Sequence, residues 1–129
     1  MPGRYLLDSN TVIGLLKGDL EDRRQALAGD RAFVNVVVLG ELYYGAERSN
    51  RTEENLATFD RFAAQTTILD CDRETARHYG EIKDQLRKRG RPIPENDIWI
   101  AASARQYDLT VVTGDRHFDE IEGLPTEGW

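Results

Sequence analysis

Four short apolar runs, set apart by stretches with helical character, constrain this chain more than any other feature. Arg4-Tyr5-Leu6-Leu7, Phe33-Val34-Asn35-Val36, Thr67-Ile68-Leu69 and Thr110-Val111-Val112-Thr113 each read as a strand. The intervening segments carry helix signals. Ser9 or Asn10 is placed to cap a helix through Val12, Ile13, Leu15 and Leu16, and Asp19–Ala28 reads as a second short helix stopped by Gly29. Val37–Glu47 contains valines, which are poor helix formers, yet Leu39, Leu42, Tyr43 and Ala46 share one helical face. Asn50 with Glu53 suggests a capping box for a helix reaching about Gln65. Asp72 caps the longest helix, Arg73–Arg89, which ends at Gly90 before Pro92 and Pro94. Asp97 opens Ile98–Gln106, apolar almost all round and therefore expected to be buried. Strands alternating with helices imply an α/β fold, a parallel sheet with helices on both faces.

The 129 residues suit a single domain over 1–129, with enough surface to bury for a core without staples. Hydrophobic residues at 40% and charged residues at 31% fit neither a disordered chain nor a membrane protein. No apolar run approaches the ~20 residues of a membrane span, and the N-terminus shows no signal-peptide pattern. Cys71 is the only cysteine, which excludes an intramolecular disulfide and a multi-cysteine zinc site. The expected location is cytoplasmic, with no membrane partner.

The chemistry lies in the acids. In an open parallel sheet, ligands bind beyond the C-terminal ends of the strands. Asp8 ends the first strand, Asp115 follows the Val111-Val112 strand, Asp97 stands at the start of the buried helix, and Glu41 lies early in the helix after Phe33–Val36. Each has a plain structural alternative: Asp8 as an N-cap, Asp97 as a helix-dipole charge, Asp115 as a turn residue. Glu41, set among Leu39, Leu42 and Tyr43, is the hardest to explain that way. If the four converge, their mutual repulsion calls for a cation. Oxygen ligands without cysteine or clustered histidine suit Mg²⁺ or Mn²⁺, the ions of phosphodiester chemistry.

The sequence around these acids resembles the PIN-domain nucleases. Leu6-Leu7-Asp8-Ser9-Asn10-Thr11-Val12-Ile13 is similar to their opening motif, and Leu39-Gly40-Glu41-Leu42-Tyr43-Tyr44-Gly45-Ala46 to their Glu-Leu-x-x-Gly segment. Pro94–Ala102 resembles the third block, Val112–Phe118 the fourth, and Leu124–Trp129 the closing strand of VapC-type toxins. Four blocks in register over the whole chain imply a PIN-like three-layer α/β/α sandwich with a mostly parallel central sheet. The resemblance further implies a Mg²⁺-dependent endoribonuclease, the toxin of a type II toxin–antitoxin pair. Its catalytic and metal-binding quartet would be Asp8, Glu41, Asp97 and Asp115, with Asp8 and Asp97 as principal ligands and Asn10 and Thr113 in support. The implied partners are RNA, a VapB-type antitoxin, and a second copy in a homodimer within a hetero-oligomeric complex. Many PIN domains carry an acid at position 117. Here it is His117, read as a solvated surface residue.

A net charge of −6 does not preclude RNA binding, because charge can be local. Between Arg73 and Arg91 seven basic residues face three acids, and Arg73, Arg77, Lys83, Arg87, Lys88 and Arg91 fall largely on one helical side. That side suits phosphate contact or simply solvent. Tyr43, Tyr44 and Phe62 are candidates for an exposed dimer patch. The alternative function is a catalytically inactive PIN-like module that binds RNA or protein. A haloacid-dehalogenase-type phosphotransferase needs a second Asp where Asn10 stands, and a receiver-like domain would carry its acceptor later than Asp8.

Overall fold

Leu6, Leu7, Val34, Val111 and Val112 are fully buried, because the strands that carry them lie side by side in the middle of one sheet. The computed structural model describes residues 3–18 and 31–129, so the helix expected over Asp19–Ala28 falls outside the described residues. The elements are β1 (Tyr5–Leu7), α1 (Ser9–Leu16), β2 (Ala32–Asn35), α2 (Val36–Arg48), α3 (Thr52–Ala64), β3 (Thr67–Leu69), α4 (Arg73–Lys88), α5 (Glu95–Tyr107), β4 (Thr110–Val112), a 3-10 turn (Arg116–Glu120) and β5 (Thr126–Glu127). All strand pairs are parallel, in the order β3-β2-β1-β4-β5. The expected α/β sandwich is present, with a wholly parallel sheet.

The strand order creates the site. From β1 the chain builds outward through β2 and β3, then returns to add β4 and β5 on the other side. Loops leaving β1 and β4 therefore diverge, and a crevice opens at their C-terminal ends.

Helix α5 is the central buried helix. Ile98, Ile100, Ala101, Ala102, Ser103 and Ala104 are all enclosed, and α4 packs closely against this helix. Helix α4 turns Thr75, Ile82 and Leu86 inward and leaves its charged residues outside. The charges are partly neutralised locally: Lys83 pairs with Glu95, and Arg87 and Lys88 with Asp84.

Several boundaries differ from expectation. Helix α1 is capped by Asp8, not by Ser9 or Asn10. The Asp8 carboxylate accepts the Thr11 N–H at 2.9 Å, which makes Ser9 the first helical residue. The Asn50–Glu53 box does not form. Arg51 occupies the cap position without a side-chain bond, and the Ser49 hydroxyl accepts from the Arg51 N–H and the Asn55 amide instead. Helix α5 starts at Glu95, two residues before Asp97. Phe62 is a core residue at 7% exposure, so it cannot serve an exposed patch. Tyr43 donates its hydroxyl to Asp60 at 2.6 Å, which leaves Tyr44 as the exposed aromatic of the three. Asp72 caps α4 as expected, through a reciprocal box with Thr75.

Candidate active site

Asp8, Glu41, Asp97 and Asp115 all line one open cleft of about 450 Å³ at the C-terminal edge of the sheet. Each arrives by a different local device. Asp8 is the residue at which β1 stops and α1 begins, so the cap geometry that ends the strand also fixes the carboxylate. One Asp8 oxygen accepts the Thr11 N–H, and the other accepts the Thr113 hydroxyl. Thr113 also accepts the Asp115 N–H at 2.9 Å, so one hydroxyl ties the ends of β1 and β4 together. Thr11 adds a second tie by donating to the Val112 carbonyl at 2.9 Å.

Asp97 and Glu41 face each other from α5 and α2. Burial pushes the Glu41 carboxyl above its ordinary range, and the neighbouring charges of Asp97 and Asp8 push the same way. Asn96 opposes this by donating to Glu41 at 3.4 Å. Asp97 is likewise raised, first by burial and then by Asp115 and Asp8, while His117 favours its charged form. Uncompensated negative charge is thus built into the cleft.

The placement of α2 against α5 rests on a buried polar knot. Asn35 ends β2 and caps α2, accepting the Val38 N–H at 2.9 Å. Its amide donates to the Ser103 hydroxyl at 3.0 Å and to the Trp99 carbonyl at 3.4 Å. The strand reading of Phe33–Val36 gives no hint of this cross-link, which depends on side chains 68 residues apart.

A profile of the PIN domain matches residues 5–124. The chain belongs to the PIN-domain family. It is 41% identical to Ribonuclease VapC2 of Haemophilus influenzae, with 98% of each chain covered. It is 36% identical to the tRNA(fMet)-specific endonuclease VapC of Shigella flexneri over the same shares. Among solved structures, a chain of DNA-bound VapBC from Salmonella typhimurium superposes with a TM-score of 0.89 at 34% identity, covering 99% of each chain.

In this PIN domain His117 is not a detached surface residue. The 3-10 turn capped by Asp115 brings its Nδ1 to 3.0 Å from Asp115 and 3.1 Å from Asp97. Glu95, Asn96 and Ser9 also line the cleft and were not singled out by sequence reasoning. Asn10 lines it too, as the resemblance implied, while Thr113 stands behind Asp8 as a buried support.

The donor set suits a hard divalent cation. Five carboxylates line the cleft and, among the described residues, no lysine or arginine does. Such a site is costly empty and is relieved by a cation with oxygen ligands. Among the described residues no helix is long and apolar enough to cross a membrane.

Proposed function

We propose that this PIN domain is a divalent-cation-dependent endoribonuclease and the toxin of a toxin–antitoxin pair. The observation that carries the reading is the convergence of Asp8, Glu41, Asp97 and Asp115 on a cleft that, among the described residues, no lysine or arginine lines. RNA as substrate is supported by relatives named as a ribonuclease and as a tRNA(fMet)-specific endonuclease.

Asp8 and Asp97 are the principal residues to hold Mg²⁺, or Mn²⁺ in its place, with Asp115 and Glu41 completing the acidic wall. When bound, the ion supplies charge stabilisation to the phosphate and acidifies a water ligand. Thr11 and Thr113 hold both oxygens of Asp8, so its carboxylate is oriented before substrate arrives. Glu41, with its affinity for protons raised by burial, orients the attacking water and takes up its proton. In-line attack breaks the P–O3′ bond, the leaving oxygen takes a proton from solvent water, and the products are a 5′-phosphate and a 3′-hydroxyl. No covalent intermediate is invoked, since the nucleophile is water.

The antitoxin assignment is supported by the VapBC complex to which the chain is similar. A second groove of about 240 Å³, lined by Ile13, Leu42, Ala46 and Phe59, shares Glu41 with the acidic cleft. An apolar helix seated there would carry an arginine to the carboxylates, where bidentate hydrogen bonds are strongest. A homodimer within that complex remains part of the proposal, with Tyr44 as its exposed aromatic.

The test is cleavage of RNA by purified protein with Mg²⁺ or EDTA, alongside Asp97→Asn. Cleavage should require the ion, fall at least ~100-fold in the variant, and yield 3′-hydroxyl ends. Undiminished cleavage in EDTA overturns the mechanism. Binding of RNA without any cleavage in Mg²⁺ supports instead an inactive PIN-like binding module.

A further inference from the structure

We propose that His117 is a metal ligand through Nδ1, and that it biases this cleft towards transition-series divalent cations over Mg²⁺. The inference rests on the proposed metal site and deepens it. The ligand atoms of Asp97, Asp115 and His117 all lie within 4.8 Å of one another. Nδ1 stands 3.1 Å from Asp97 Oδ2 and 3.0 Å from Asp115 Oδ1. Neighbouring ligand atoms of an octahedral ion with bonds of ~2.1 Å are separated by about the same distance, ~3 Å. A cation held by either carboxylate would therefore lie within bonding reach of Nδ1.

The backbone reinforces that geometry. The Asp115 carboxylate accepts the His117 N–H at 2.9 Å, closing the 3-10 turn so that residue 117 faces back towards α5. The ring is half-exposed, so solvent and ions can reach it. An imidazole nitrogen beside two carboxylates is a mixed donor set. Mg²⁺ gains little from it, whereas first-row transition ions gain affinity from nitrogen ligands. Residue 117 thereby becomes a determinant of metal choice.

Mn²⁺ alone is the probe. Electron spin-echo modulation of Mn²⁺ bound to the full chain should show coupling to a directly bound ¹⁴N, and calorimetry should give a preference for Mn²⁺ over Mg²⁺. In His117→Asn the nitrogen coupling should vanish, and the Mn²⁺-to-Mg²⁺ affinity ratio should fall on the order of tenfold, as losses of metal-site groups do. His117→Asp should tighten Mg²⁺ binding relative to wild type and narrow the preference. The chain has only two histidines, so coupling that persists in His117→Asn would come from elsewhere and overturns the inference. Absence of nitrogen coupling, with Mn²⁺ binding still lost in Asp97→Asn, also overturns it while leaving the proposed function standing. Mn²⁺ binding indifferent to Asp97→Asn overturns the metal-site reading as well.

Discussion

Asn35 donates a buried hydrogen bond of 3.0 Å to Ser103, and by doing so joins the helix that carries Glu41 to the helix that carries Asp97. The same side chain caps α2 through the Val38 N–H. Asn35 is completely buried, so water cannot replace either bond.

Replacing Asn35 by alanine should therefore cost about 2–4 kcal/mol, the combined loss of a helix cap and of a buried hydrogen bond to Ser103. Asn35→Ser retains the capping oxygen and should lose less. Chemical denaturation in EDTA measures both. Equal losses in the two variants would mean that the cap contributes nothing.

Thr113→Val keeps the shape of the side chain but removes the hydroxyl shared by Asp8 and the Asp115 N–H. The expected stability loss is roughly 1–3 kcal/mol, because both groups lose a partner near the core. Metal affinity should fall at least tenfold as Asp8 loses its orientation. Thr113→Ser should recover most of both. Calorimetric titration with Mg²⁺ and thermal unfolding separate the two effects.

Glu41 has its carboxyl raised above the ordinary 4.5, chiefly by burial. A raised carboxyl favours the folded state while protonated, and that contribution is lost as pH rises through its folded value. Metal-free Glu41→Gln should therefore match wild type below pH 4 and exceed it at neutral pH, by on the order of 1 kcal/mol or less given partial solvent screening. Melting temperatures against pH in EDTA test this. A variant less stable than wild type at pH 7 contradicts it.

If an antitoxin arginine and the cation use the same oxygens, raising Mg²⁺ should weaken antitoxin binding to the native chain. Asp8→Asn, with a damaged metal site, should show much less Mg²⁺ dependence. Affinities measured across a Mg²⁺ series decide the matter. Equal affinity at every concentration would make inhibition steric and not competitive.

Sequence alone determined the α/β class, four of the five strand positions to within a few residues, and four of the five acids that line the cleft, while the closing strand came from the family resemblance. The physical reason is locality. Strand burial shows as short apolar runs, and parallel crossover demands a helix between them. Asp8 and Asp115 follow strand ends, where such sheets place their ligands. Tertiary structure decided what depends on distant partners. Nothing local distinguishes Asn35 as a cross-link from an ordinary strand residue, because Ser103 meets it only after α5 packs. Phe62 reads equally as surface or core until α3 docks. His117 looks like a solvated turn residue until the chain folds Asp97, twenty residues earlier, against it. Side-chain polarity and backbone propensity are written in neighbouring residues, whereas hydrogen-bond partners across elements are set only when helices and strands from distant parts of the chain are pressed together.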